Sequence, residues 1–315
     1  MKKEIPASEC TSISPEESES MEITNKFGLP DFVADALTFS DYSRGDAQIS
    51  VTQLIDSPRV VQLQKQHADK ETKDVVDFVW SRFGTSVHLM FEESLKATES
   101  PAITEERLFT EWKGWKLSGA IDIQEVEDDG VTISDFKVTS VWSVINAKSS
   151  WHKQLNAYAY LVRKAKGQTV KKLQIVAILR DWQRRKAESE RNYPNAPVVV
   201  VDIPLWSEKE QDNYIEEQMD RHVGAEFDAA IDSPLIECSS EEMWEKATVY
   251  AVMRKGRKSA VKLFPSDKLA QGMLDGLDDT HYIEVRVGEK TRCTQDWCSV
   301  SAYCDQYQGE LQNAG

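Results

Sequence analysis

The sequence predicts an α/β fold, from three observations. A helix-length apolar pattern stands near the front, three strand-like runs follow in succession, and then comes a second helix with an almost unbroken apolar strand behind it. That order suits a central sheet with helices packed on it, and fits neither a bundle nor a sandwich. At 315 residues and 40% hydrophobic content, the chain can bury one sizeable core with an appended lobe.

Residues 1–47 set Glu9, Glu16, Glu17, Glu19 and Glu22 among Ser, Thr and Pro with little apolar periodicity. This reads as an acidic, disordered arm with a short helix near 32–37, and as a partner-binding arm in the alternative. Ordered structure is expected from Gln48, with an N-cap-like start at Ile49-Ser50-Val51-Thr52-Gln53-Leu54 leading through Pro58 into a helix that ends near His67. A longer helix is predicted over 73–97, where Val75, Val79, Phe83, Val87 and Phe91 recur at spacing four and mark a buried stripe. Strands are predicted over 107–113, 117–126 and 131–138, parted by the Gly114 turn and the Asp128-Asp129-Gly130 turn. A helix over 150–166 closes at Gly167. The apolar run 173–179 reads as a strand buried on both faces, and 197–201 as another. Core residues thus span 48–206. The rest, 207–315, reads as mostly helical and packed on the core, opened by the capping-box match Ser207-x-x-Glu210 ahead of Tyr214, Ile215, Met219 and Phe227.

The net charge of −15 argues against a general nucleic-acid coat protein, because phosphate binding needs positive potential. It leaves room for an enzyme acting on DNA, which needs a local basic track and carboxylates holding a cation. No apolar run is long enough for a membrane span and no signal-peptide pattern opens the chain, so no membrane partner and a cytoplasmic location are expected. Five cysteines in such a compartment suggest free thiols or metal ligands before disulfides. Cys10 stands apart, while Cys293, Cys298 and Cys304 crowd together near the end.

Four features carry chemistry. Gly84-x-x-x-His88-x-x-x-Glu92 places an imidazole and a carboxylate one turn apart on a helix face. Gly119-x-x-Asp122 sets a carboxylate between Ile121 and Ile123, where burial is costly unless the group is paired or binds a metal; an exposed-face aspartate is the plain alternative. Asp135-Phe136-Lys137 points an acid and an amine to one side of a strand, to hold a cation and polarise water, or simply to form an ion pair. Gln154-x-x-x-Tyr158 puts two polar groups on one helix face, which is also what an ordinary helix surface presents.

In this order the four features resemble the PD-(D/E)XK nuclease pattern of RecB, AddB and CRISPR-associated RecB-like exonucleases, with looser likeness to phage-encoded members on both sides. The resemblance is carried by Gly84-Thr85-Ser86-Val87-His88-Leu89-Met90-Phe91-Glu92, Leu117-Ser118-Gly119-Ala120-Ile121-Asp122, Ile133-Ser134-Asp135-Phe136-Lys137 and Gln154-Leu155-Asn156-Ala157-Tyr158. It implies a restriction-endonuclease-like core, a central mixed sheet flanked by helices, with the mostly helical C-terminal region added. It also implies a metal-dependent deoxyribonuclease, an exonuclease working at DNA ends in phage-type recombination, replication or processing. The alternatives are a structure-selective endonuclease on the same site and a non-catalytic DNA-binding protein on a nuclease scaffold; a DNA mimic drawn from the acidic arm ranks last. A recombination or replication protein is the partner implied for the arm, in a host cytoplasm if the chain is phage-encoded.

Residue by residue, the resemblance makes His88, Asp122 and Asp135 metal ligands, with the Phe136 backbone carbonyl as a fourth, for Mg²⁺ or Mn²⁺. Lys137 would position or activate the attacking water and stabilise charge on the phosphate. Glu92 would be a catalytic or alternative ligand, and Glu111 a weaker candidate. Gln154 and Tyr158 would touch substrate or brace the site. Arg180, Arg184 and Arg185 would hold the DNA backbone with Trp182 stacking on a base, and Arg254, Lys255, Arg257, Lys258 and Lys262 form a second basic cluster. Iron–sulfur members take one early cysteine and three late ones. Here Asp56-Ser57-Pro58-Arg59 has serine at the early position, so Cys238 would complete a set with Cys293, Cys298 and Cys304. A [4Fe–4S] cluster ranks ahead of Zn²⁺ for that set, with buried free thiols as the plain alternative.

Overall fold

In the computed structural model, which describes residues 22–40, 45–70, 72–146, 148–295 and 297–313, the N-terminal region carries strand β1 (Glu22–Thr24) and helix α1 (Asp31–Thr38). Strand β2 (Ile49–Ser50) and helices α2 (Val51–Leu54) and α3 (Pro58–Gln66) follow, then β3 (Thr72–Asp74), which pairs in parallel with β1. Asp74 ties this junction, accepting hydrogen bonds from Thr24 Oγ1 and the Lys26 amide, both at 2.8 Å. The disordered arm read over 1–47 is therefore corrected from Glu22 onward. A pairing between segments 50 residues apart leaves no trace in local composition. Residues 1–21, with Cys10 and most of the arm's glutamates, lie outside the described residues.

A 3₁₀ turn (Val75–Phe78) leads into α4 (Val79–Ala97). Of the predicted stripe only Val75 and Val87 are buried, and Phe83 is 45% exposed. The helix docks instead through Phe91, whose ring stacks nearly flat on Phe136 with centroids 4.2 Å apart.

The predicted meander is β4 (Ile103–Trp112), β5 (Trp115–Glu127) and β6 (Gly130–Thr139). Then come α5 (Val141–Ile145), α6 (Ser149–Lys166), β7 (Val170–Leu179), α7 (Arg184–Ser189), β8 (Val198–Ile203) and α8 (Glu208–Ala230). These strands make one six-stranded mixed sheet in the order β2-β5-β6-β7-β8, with β4 on the other edge of β5. The β6–β7 pair is parallel, as a helical crossover through α6 requires, while β5–β6 and β7–β8 are antiparallel.

Helix α6 lies across this sheet. Its Leu155, Ala157, Leu161 and Val162 are fully buried against Leu117, Ile121, Ile133, Leu173 and Ile175. Each aliphatic side chain removed from water in this way contributes about 1.5–3 kcal/mol. Contact is close because position 119 is glycine: a Cβ there would lie 2.7 Å from Leu161, 2.9 Å from Tyr158 and 3.0 Å from Val51. Gly167, in the left-handed region at φ +65°, ends the helix.

Beyond α8, the C-terminal region holds helices α9 (Asp267–Leu274), α10 (Thr291–Thr294) and α11 (Asp305–Asn313). It also holds an antiparallel sheet absent from the sequence reading, β10-β9-β11, built from β9 (Val249–Arg254), β10 (Lys262–Phe264) and β11 (His281–Arg286). The tail returns to α3, where Arg59 pairs with Asp305, and Arg292 grips Asp56 with two hydrogen bonds of 2.7 and 2.9 Å. Among the described residues no helix is long and apolar enough to cross a membrane.

Candidate active site at the strand fork

Strands β5 and β6 are paired from Glu127–Gly130 as far as Ile123–Ser134, and there they separate. Asp122 and Asp135 are the first residues past that last pair, so the fork itself brings the two carboxylates together. Phe136, deprived of a β5 partner for its amide, donates instead to Asp122 Oδ2 at 2.7 Å. Asp122 and Asp135 are both buried, at 6% and 1% exposure. The Phe91–Phe136 stack then sets α4 so that His88 Nδ1 stands 3.6 Å from Asp122 Oδ1.

A third carboxylate joins from the other edge of β5. Glu105 stands across from Asp122, between the Thr104–Ile123 and Glu106–Ile121 pairs, with its backbone in the left-handed region at φ +49°. Its Oε1 lies 3.2 Å from His88 Nδ1. One ligand atom from each of His88, Glu105 and Asp122 falls within 4.8 Å of the others, a spacing a single cation can span.

Lys137 Nζ lies 2.6 Å from Asp135 Oδ2, a close ion pair with a buried carboxylate. The other oxygen, Oδ1, accepts from Gln154 Nε2 at 3.2 Å, and Gln154 also donates to the Tyr158 hydroxyl at 2.9 Å. Gln154 and Tyr158 are both buried and linked through Gln154 to Asp135.

The electrostatics are those of an anionic pocket. Burial first, and the charge of Asp135 second, push Asp122 up to about 7 against the opposing pull of His88, Lys137 and the Phe136 amide. Burial alone would depress the His88 pKa, but Glu105, Asp122 and Asp135 outweigh it and raise it. Lys137 behaves likewise: burial lowers its pKa, and Asp135 and Asp122 more than restore it. Two adjacent buried carboxylates and a convergent imidazole fit a hard divalent cation of the Mg²⁺ or Mn²⁺ kind.

Glu92 does not join this group. Its carboxylate pairs with Lys96 one turn along α4. Glu111 sits at the far end of the β4–β5 hairpin opposite Lys116. Sequence reasoning missed Glu105; the only signal would have been the strand pairing that sets it opposite Asp122. Trp182 is half-buried: its indole N–H donates to the Pro194 carbonyl at 2.8 Å and its ring packs on the core. Arg180 is exposed at the end of β7, and Arg184 and Arg185 are exposed on α7. The four late cysteines line one cavity with Arg59, Met243 and Arg292, and the Cys238 sulfur is 3.1 Å from Ser57 Oγ.

Comparison with known proteins gives one family match: the model of the PD-(D/E)XK nuclease superfamily matches residues 51–305. No curated protein matches the chain. Among solved structures, SSO0001 is similar at 18% identity, over 60% of this chain and 85% of its own, with a TM-score of 0.41. An alkaline exonuclease (LHK-Exo) from Laribacter hongkongensis is similar at 12% identity, over 58% of this chain and 97% of its own, with a TM-score of 0.30.

Proposed function

Because the chain belongs to the PD-(D/E)XK nuclease superfamily, we propose that it is a metal-dependent deoxyribonuclease that hydrolyses phosphodiester bonds at DNA ends. The observation that carries this reading is the convergence of His88, Asp122 and Asp135 at the fork, with Lys137 two residues beyond Asp135. His88, Asp122, Asp135 and Glu105 would hold the cation. When bound, it offsets the phosphate charge and renders the phosphorus open to attack by water. Lys137 orients that water and stabilises the charge that grows on the phosphate oxygens. Gln154 and Tyr158 fix the Asp135 carboxylate, and the Phe136 amide fixes that of Asp122.

The test is cleavage of end-labelled linear and covalently closed circular DNA with Mg²⁺, with Mn²⁺ and with chelator. Wild type is compared with Lys137→Ala and Asp135→Ala. Metal-dependent loss of linear DNA alone, abolished in both folded variants, is the expected result. Cutting of the circle would replace the exonuclease with an endonuclease on the same site. Undiminished activity in Asp135→Ala would overturn the site.

The cysteines support a second metal group. Cys238 stands beside Ser57, the position where iron–sulfur relatives carry their early thiol, and shares a cavity with Cys293, Cys298 and Cys304. Burial pushes the Cys238 thiol up to about 11 and that of Cys298 up as well, which a metal reverses by taking the thiolate. A single tetrahedral Zn²⁺ with bonds of about 2.3 Å would draw the sulfurs within about 4 Å of one another. Among the described residues no three cysteine sulfurs approach within 4.8 Å.

A further inference from the structure

The face of α4 that carries His88 continues past the fork, and folding does not account for what stands on it. Trp80, Gly84 and His88 recur at spacing four, so they share one side of the helix over roughly 12 Å. Trp80 is 56% exposed, and the Arg180 guanidinium lies 4.6 Å from its ring centroid. Gly84 is the least favourable residue for a helix interior other than proline. It relieves no clash, since a Cβ there would meet nothing within 4 Å. A bare stretch of backbone under open space therefore separates an exposed, cation-capped indole from a candidate metal ligand.

Positive charge gathers beside this face, on a chain whose net charge is −15. The Arg180 amide donates to the carbonyl of Thr139, two residues beyond Lys137 on β6, at 3.0 Å. That places it roughly 7 Å along the strand from Lys137, a step of one or two phosphates. Trp142, 63% exposed, stands on α5 after β6, next to Val141, whose amide donates to Asp181 at 2.7 Å.

We infer that the Trp80–Gly84–His88 face of α4 is the path of a single-stranded DNA end, with a base stacked on Trp80, the sugar–phosphate backbone crossing at Gly84, and a phosphate held by Arg180. This rests on the nuclease reading above and adds the substrate class. An exposed indole offers a platform to an unpaired base, whose face is free, and not to the interior of a stacked duplex.

The test is binding in chelator, read by fluorescence anisotropy, of a labelled oligothymidylate, an abasic strand of the same length and a blunt duplex. The wild type should prefer the oligothymidylate to the abasic strand. Trp80→Ala should weaken the former about tenfold and erase the preference, with Trp80→Phe retaining most of it. Gly84→Leu should weaken strand binding while its melting temperature holds or rises, the opposite of what a structural glycine would give. Arg180→Gln should weaken both single strands alike and flatten the salt dependence. Wild-type affinity in both Trp80→Ala and Gly84→Leu, in a protein that still cuts DNA, would overturn the path alone. Tighter binding of the duplex, lost in the same variants, would overturn the single-strand assignment. A wild type that neither binds nor cuts any DNA would overturn the nuclease reading and this inference with it.

Discussion

Two glutamates near His88 have opposite surroundings. Glu92 lies one turn away on the same helix, but its carboxylate is taken by Lys96. Glu105 comes from a different element and reaches His88 Nδ1 at 3.2 Å. Its left-handed φ is a conformation that a side-chain-bearing residue adopts at some cost, and such strain is concentrated at functional positions. Glu105→Gln should raise the Mg²⁺ concentration needed for half-maximal cleavage by about tenfold or more, the size of effect seen when a metal's supporting group is lost. Glu92→Gln should leave the requirement near that of the wild type. A metal titration of both variants decides between them, and equal responses would return Glu92 to the site. The sequence pointed to Glu92 because spacing four on a helix is a local rule. Glu105 depends on the register of β4 against β5, which no local rule contains.

At the scale of elements, the central sheet and its two helices were legible because each has a strong period. Leu117, Ile121, Ile133, Leu173 and Ile175 are buried where alternation and the apolar run place them. Where the pattern was short or shared, legibility ended. β9 and β11 are six residues each, and the apolar run Ala251-Val252-Met253 is too short to tell strand from helix by period, so only their pairing makes them strands. The stripe on α4 failed for a different reason: spacing four marks a helix face but does not say what covers it, and Phe83 remains exposed. Gly119 was read as part of a motif, and the structure gives it a mechanical cause. Gly119→Ala would press a methyl into Leu161, Tyr158 and the side chain of Val51. The expected cost is about 1–3 kcal/mol, because a packed interior yields only by moving a helix. Tyr158 sits on Gln154, and Gln154 on Asp135, so the displaced α6 should also misplace the carboxylate. Thermal melting would report the first effect and cleavage the second. A variant with wild-type stability and reduced cleavage would mean that Gly119 serves substrate approach and not packing.

On the scale of the whole molecule, the fold closes by bringing the C-terminal segment back to α2 and α3. Arg59, almost wholly buried, donates to the carbonyls of Leu235 and Ile236 and pairs with Asp305, while Arg292 grips Asp56. Gln306 adds a two-way clasp, accepting from the Cys238 amide and donating to its carbonyl. A cluster ligated only by Cys238, Cys293, Cys298 and Cys304 would cross-link residues within the C-terminal region. With serine at position 57, it would not bind the early segment covalently; that junction would rest on the two arginines, the packing of Val60 and Leu63 on Val300, and the His67–Tyr303 stack. Losing the cluster should therefore loosen the C-terminal segment before the sheet. Closure of a loop of this length is worth about 3–5 kcal/mol in the chain-entropy account. Cys298→Ser should abolish a visible chromophore and its iron content, lower the first thermal transition, and open the segment after α8 to limited proteolysis while the sheet stays protected. Wild-type protein that is colourless and carries zinc would replace the cluster with an ion. Protein that carries no metal and loses no stability on Cys298→Ser would make these four residues ordinary free thiols, and leave the junction to its arginines and its packing.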